Sequence, residues 1–186
     1  MSAAGVTLYI ATSVDGFVAD ADGGVEWLEQ FDDSGDTDTD GGGATAAYEE
    51  FFASVDALVM GATTYEQVRS FGDWPYADTP TYVLAHRERE RASDTVEFVS
   101  GDEVAVVDRL TRLHDHVWLV GGAAVAQSFL RHGLIDTLRV TVVPVVLGSG
   151  IPLFESDPAV EAERVDLVAN RSLGGGVVEL HYRFTG

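Results

Sequence analysis

Cysteine is absent from the 186-residue chain, and so is lysine. Without cysteine there is no disulfide, no thiolate nucleophile and no zinc–thiolate site. Without lysine there is no Gly-Lys pair of a Walker-type phosphate loop. Positive charge is scarce: 11 basic residues, all arginine, stand against 31 acidic ones, giving a net charge of −20 and a pI near 4.3. Such a chain repels nucleic-acid phosphates and anionic membranes, so neither is an expected partner. No apolar run has the length of a bilayer span, and residues 1–5 lack the charged and apolar stretches of a signal peptide. A cytoplasmic protein is the expectation.

What is present suits a globular chain. Hydrophobic residues make up 46% of the sequence, enough for a packed core, and the length suits a single domain over residues 1–186. The acid excess needs a cause, because self-repulsion destabilises a compact state unless salt screens it. Many carboxylates without lysine read as a halophilic protein of a high-salt cytoplasm; the alternative is an arginine-biased genome with an acidic surface. Residues 32–43 (DDSGDTDTDGGG) are acidic, glycine-rich and too polar to pack, and read as an exposed loop. Asp36, Asp38, Asp40 and Gly41 begin a calcium-loop pattern, but Ala47 stands where its bidentate glutamate is required, so the segment reads as a solvated insertion.

Residues 6–12 (VTLYIAT) predict a buried first strand, followed by a turn at Ser13-Val14-Asp15-Gly16. Further strands are expected at 57–60, 81–85, 96–99 and 117–120, the last of them central, with 138–143 and 177–184 as a late antiparallel pair. Helical patterns fall between them. One covers 44–54 with Tyr48, Phe51 and Phe52 at helical spacing, and a short one covers 63–70. A third, 102–113, has Asp102 as its N-cap and Val106, Leu110 and Leu113 on its apolar face; a fourth, 122–132, is ended by Gly133. Alternating strands and helices mean an α/β fold, helices on both faces of a mixed, mostly parallel sheet. His114 and His116 flank a strand start without a third ligand nearby, so no metal site is expected. Gly148-Ser149-Gly150 lacks the full nucleophile-elbow signature.

Two strand–glycine–helix junctions carry the chemistry. In Leu58-Val59-Met60-Gly61-Ala62-Thr63-Thr64 and in Leu119-Val120-Gly121-Gly122-Ala123-Ala124-Val125, glycine turns the backbone sharply at a strand end. The helix start that follows offers unpaired N–H groups and a positive dipole end to an anion. Two such junctions in one sheet can hold two parts of a dinucleotide. Each taken alone is also ordinary α/β packing.

The stretches YIATSVDGFVAD (Tyr9 to Asp20), DALVMGATTYE (Asp56 to Glu66), TYVLAHR (Thr81 to Arg87) and the long run from Val117 to Phe154 occur in one characteristic order. Together they resemble the dihydrofolate reductase-like superfamily, in the branch related to the C-terminal reductase domain of the bifunctional deaminase-reductase of riboflavin biosynthesis. The resemblance implies a three-layer sandwich on a mostly parallel sheet with a C-terminal antiparallel pair. It also implies NADPH-dependent hydride transfer to a C=N-type bond of a pterin, folate or pyrimidine-like substrate, and a homodimer. A riboflavin-pathway reductase acting on a ribosylamino-pyrimidine and a non-catalytic nucleotide-binding module are the alternatives.

Carried over by position, Ala11 and Gly16 border the nicotinamide. Gly61, Thr63 and Thr64 meet the pyrophosphate and adenosine side from one helix, Gly121, Gly122, Ala123, Ala124 and Val125 meet the pyrophosphate from the other, with Val120 also cofactor-binding, and in relatives the bond matching Gly121–Gly122 is cis. His86 and Arg87, at the end of a strand, are placed for the 2′-phosphate, since the arginine usual at the Ala62 position is missing. Trp27, Tyr48, Phe52 and Thr141 are implied as substrate-lining, with core packing as the alternative for Tyr48 and Phe52. The carboxylate of folate enzymes has no clear counterpart, Asp32 and Thr45 competing for the position, and Asp15 is the candidate for supplying or ordering the proton.

Overall fold

The computed structural model describes residues 5–31 and 43–185. The calcium-like pattern of the acidic segment, and Asp32, lie outside the described residues. In chain order the elements are β1 (Gly5–Ser13), β2 (Phe17–Ala19), a 3₁₀ helix (Glu26–Phe31), α1 (Ala44–Phe52), β3 (Ala57–Gly61), α2 (Ala62–Ser70), β4 (Thr81–Leu84) and β5 (Val96–Val99). There follow α3 (Glu103–Leu113), β6 (His116–Gly121), α4 (Ala123–Arg131), β7 (Thr137–Val143), β8 (Ile151–Pro152), β9 (Val165–Gly174) and β10 (Val177–Phe184). Eight strands form one sheet in the order β5-β4-β3-β6-β1-β7-β10-β9, and β2 pairs with β8 in a second sheet. The eight-stranded sheet is parallel from β5 through β1 and antiparallel around β10, the mixed α/β class expected.

The chain divides into two compact units, Met1–Leu8 with Val55–Asp136 and Tyr9–Ser54 with Thr137–Gly186. In the first, β3 and β6 are apolar runs without alternation because they are covered on both faces, and Leu58, Met60, Leu119 and Phe129 of α4 lose all exposure. Helix α3 begins as expected, the Asp102 carboxylate accepting the Val104 N–H. Its buried face differs from the expected one. Val107 and Leu110 point inward while Leu113 is 59% exposed, because the helix is rotated by one position relative to the 106–110–113 stripe. His114 and His116 are used structurally, hydrogen-bonding the hydroxyls of Tyr82 and Thr7 at 3.0 and 2.9 Å.

In the second unit, β10 is flanked by β7 and β9 in antiparallel register, with Glu179 opposite Thr141 on one side and Arg171 on the other. Ala47 of α1 packs in a small core with Leu173 and Val177. The turn after β1 is closed by Ser13, whose hydroxyl accepts the Phe17 N–H and whose carbonyl accepts the Gly16 N–H.

Candidate active site

In the first unit the ends of the parallel strands fall level. Register pairs Gly61 with Leu84 and Leu84 with Val99, and places Gly121 beside Met60. The candidate residues that follow these strand ends are therefore gathered along one sheet edge: Thr63 and Thr64 after β3, His86 and Arg87 after β4, Gly122 to Val125 after β6. The C-terminal edge of parallel strands is where α/β sheets take ligands.

Helices α2 and α4 begin there with glycine N-caps, Gly61 and Gly122, no side-chain cap and no acidic residue in the first turn. Helix α3 has both an aspartate cap and Glu103 in its first turn. Helix α1 also starts from a glycine, Gly43, without a side-chain cap or an acidic residue in its first turn; what sets α2 and α4 apart is that their open N–H groups and dipole ends lie together at the strand-end edge, where they can meet another anion.

The two junctions are tied together. The Gly122 N–H donates to Thr64 Oγ1 at 2.8 Å, so that amide is not available to a ligand, and Thr64 is held by a neighbouring loop. The amides left over are those of Ala123, Ala124 and Val125, since Ala126 N–H closes the first turn on Gly122 O. Space is tight around the glycines: a Cβ on Gly61 would lie 3.0 Å from Val125 Cγ2, and one on Gly122 would lie 3.1 Å from Thr64 Oγ1. Gly121 takes φ +137°, a region costly for any residue with a side chain. The cis bond expected between Gly121 and Gly122 is not found; the chain reverses through Gly121 with trans peptides.

The loop after β4 is built around Tyr65 of α2. Its hydroxyl donates to Glu90 O and accepts from Ala92 N–H, and Arg69–Glu90 and Arg89–Glu66 ion pairs pin the same segment. His86 and Arg87 stand exposed at its start, and Arg87 makes no ion pair among the described residues. The run of alternating charges is thus divided: Arg89 and Glu90 hold the loop, and neither Arg87 nor Arg91 makes an ion pair among the described residues.

The second unit holds Ala11, Asp15, Gly16, Trp27, Tyr48, Phe52 and Thr141. Tyr48 and Phe52, one turn apart on α1, stack at 5.9 Å with their planes 5° apart, and both are only half-buried. Phe51, between them, is the one turned into the core, 4.4 Å from the Tyr9 ring. Thr141 is buried on β7, and Trp27 is half-buried in the 3₁₀ helix.

Asp15 is exposed, but its oxygens are occupied. Oδ1 accepts from Ser13 Oγ at 2.7 Å and Leu147 N–H at 3.1 Å, and Oδ2 accepts from Gly148 N–H at 2.7 Å. The Ser13 hydroxyl first, with the two amides, holds its pKa below the usual carboxylate value. An ionised carboxylate with three donors is poorly made to give up a proton; it fastens the turn after β1 to the segment after β7.

A cluster absent from the sequence reading lies on the α1-facing side of β10. Glu179, its side chain 4% exposed, receives Arg139 on Oε1 at 2.7 Å and Arg171 at 3.0 Å. Arg171 also pairs with Glu50 at 2.9 Å, and Arg139 lies 5.2 Å over Tyr9 and 5.1 Å over Phe51. Burial, then the Glu179 charge, pushes the Tyr9 phenol up to about 12; its hydroxyl bonds Thr141 and Glu179. The signal was alternation in β10: Val177 is buried, so Glu179, two residues on, shares its face. Among the described residues no group of histidine, aspartate and glutamate could hold a metal, and no helix is long and apolar enough to cross a membrane.

Residues 4–178 match the family described as the RibD C-terminal domain. The chain is 34% identical over 177 residues to the uncharacterized protein YwjB of Bacillus subtilis, covering 94% of this chain and 95% of that one. It superposes with a TM-score of 0.83 and 28% identity on a putative riboflavin biosynthesis protein of Shewanella sp. PV-4, covering 98% and 99% of the two chains. Enterococcus faecalis dihydrofolate reductase, solved with NADP(H), shares the fold at a TM-score of 0.66 and 14% identity over 98% of each chain. The protein therefore belongs to the RibD C-terminal domain family, the riboflavin-reductase-related branch of the dihydrofolate reductase-like fold.

Proposed function

We propose that the protein is an NADPH-dependent reductase that transfers hydride to a C=N-type bond of a small heterocycle of the pterin, folate or pyrimidine kind. The observation that carries this reading is the first unit's edge: two acid-free, uncapped helix starts on the strand-end side that also carries Arg87, which makes no ion pair among the described residues, in a chain of net charge −20. Those residues fit a dinucleotide. The first-turn amides of α4 and the Thr63–Thr64 start of α2 would hold the pyrophosphate, and glycine at 61 and 122 lets Val125 and Thr64 pack closely between the two junctions. Arg87 would pair with the 2′-phosphate through its planar, charge-assisted fork, with His86 beside it. Ala11 and Gly16 would border the nicotinamide, and Trp27, Tyr48, Phe52 and Thr141 the substrate. Once bound, the cofactor supplies the hydride, while the chain supplies binding, orientation and the exclusion of water. Asp15 serves this reading by fixing the turn that carries Gly16. The reading includes a cytoplasmic homodimer, which light scattering on the purified chain would test.

The test is a titration of NADPH and NADH into the wild type and Arg87→Ala. Loss of one charge-assisted contact is worth about 1.5–3 kcal/mol, so NADPH should weaken by about ten- to a hundredfold while NADH is nearly untouched. Equal weakening of both, or of neither, removes Arg87 from the site. Turnover is then sought by following NADPH absorbance at high salt with dihydrofolate, pterins, a deaminated ribosylamino-pyrimidine and small nitroaromatics. Tight NADPH binding without oxidation on any of them would favour a nucleotide-binding module.

A further inference from the structure

We propose that the uncharged face of β7, β10 and β9 is where a second copy of this chain docks, in a weak dimer that salt strengthens. The inference rests on the homodimer of the reading above and names its surface. Its evidence lies within the second unit and owes nothing to the cofactor residues.

Directly opposed residues of antiparallel strands share a face, so the register sorts the side chains of all three strands. One row across the sheet is Val142, Val178 and Ser172, and another is Leu138, Tyr182 and Leu167. Every acid, arginine and histidine of these strands falls on the opposite face: Arg139, Asp166, Arg171, Glu179, His181 and Arg183. That is the side where Glu50 of α1 meets Arg171 and Ala47 packs against Val177. The arrangement inverts the usual one, in which an antiparallel sheet turns its apolar face to the core and its charges to water. Charged residues make up 23% of the chain, yet among the described residues this face of the three strands has none. It is open as well: Leu167 is 54% and Val178 37% exposed, and Leu138 and Tyr182 are half-buried.

Charge decides the occupant. A basic partner would be drawn to the acidic surface of the chain at large and not to its neutral face. A second copy brings a net charge of −20 of its own, so it approaches closely only where both surfaces carry no charge. A two-fold axis sets this face against itself, apolar side chains against apolar ones. Size and repulsion then set the strength. A patch about seven residues long and three strands wide, at about 3.4 Å per residue and about 4.8 Å between strands, has a footprint on the order of 300 Å². A standard stable interface takes about 800 Å² from each partner, so this pair dissociates on dilution. Salt screens the repulsion between the two bodies and leaves an uncharged contact intact, so the dimer tightens as KCl rises.

The test is sedimentation equilibrium on the full chain, from micromolar to near-millimolar concentration and from low to molar KCl. A monomer–dimer equilibrium is expected, with a dissociation constant that falls about tenfold over the salt range. Leu167→Thr combined with Val178→Thr keeps uncharged, strand-compatible side chains and should raise that constant by about tenfold or more. Leu167→Glu combined with Val178→Glu sets like charges across the two-fold axis and should leave only monomer. Arg183→Gln, on the opposite face, should leave the equilibrium as it is, and melting curves establish that each variant is folded. A chain that stays monomeric throughout overturns the inference, as does a dimer that weakens with salt. A dimer undiminished in the threonine double variant also overturns it, and is what pairing through the open edge of β9 would give. None of these readouts needs a cofactor: failure to bind NADPH overturns the reductase reading and leaves the interface standing.

Discussion

Asp15 and Arg87 are both exposed charges two or three residues beyond a strand, and their surroundings set them apart. Asp15 has three donors on its carboxylate. Its folded pKa is depressed, so the stabilisation it gives is full above the unfolded carboxylate range and is lost as pH falls through the folded value. Asp15→Asn should therefore melt lower than the wild type at neutral pH, with the gap closing toward strong acid; a gap independent of pH would show that the amide contacts survive without the charge. Turnover and cofactor affinity should fall together in that variant, whereas a selective loss of turnover would restore Asp15 as a proton-supplying group. Tyr9 gives the opposite sign. Its phenol ionises at about 12 in the folded chain against 10.0 ordinarily, so the folded state loses stability as pH rises from about 10. Tyr9→Phe should flatten the alkaline side of the stability profile, read from urea midpoints.

At the scale of elements, α2 and α4 are joined by one hydrogen bond between a threonine hydroxyl and a glycine amide. Thr64→Val keeps the shape and removes the acceptor, leaving the Gly122 N–H unsatisfied at a cost of about 1–3 kcal/mol. Urea denaturation should register that loss, and Thr64→Ser should recover most of it; an unchanged midpoint in the valine variant would mean that water replaces the hydroxyl. These junctions were legible in the sequence because apolar runs ending in glycine, and helices starting after it, are local signals. So were β10, whose bounds match the expected 177–184, and the Asp102 cap. Other elements were not. Strand β9 was missed because it is an edge strand exposed over much of its length, so residues such as Asp166, Asn170 and Arg171 give it no apolar period. The Glu179 cluster was missed because Glu50, Arg139, Arg171 and Glu179 are far apart in sequence and meet only through strand pairing and the packing of α1. The face of α3 was misplaced by one position because Val106 and Val107 are equally apolar, and only the partner surface chooses between them.

For the whole molecule, the dominant quantity is the net charge of −20. Much of the basic complement is already engaged with acids: Arg69, Arg89, Arg109, Arg139 and Arg171 all sit in ion pairs. Most carboxylates therefore repel one another without local compensation, and added salt should raise the melting temperature through molar KCl. A curve that is flat or falls over that range would remove the halophilic reading. The acid-free helix starts have a further consequence, one of timing. A dinucleotide phosphate is an anion approaching a strongly negative body, so its encounter rate is set by the field of the whole chain and not by the few groups it finally touches. Raising ionic strength weakens that long-range repulsion and should speed association, while the same ions loosen the short-range grip of Arg87 and speed release. Stopped-flow traces at increasing KCl should show both rate constants climbing, the reverse of the slowed capture that salt imposes where a basic surface steers an anionic ligand.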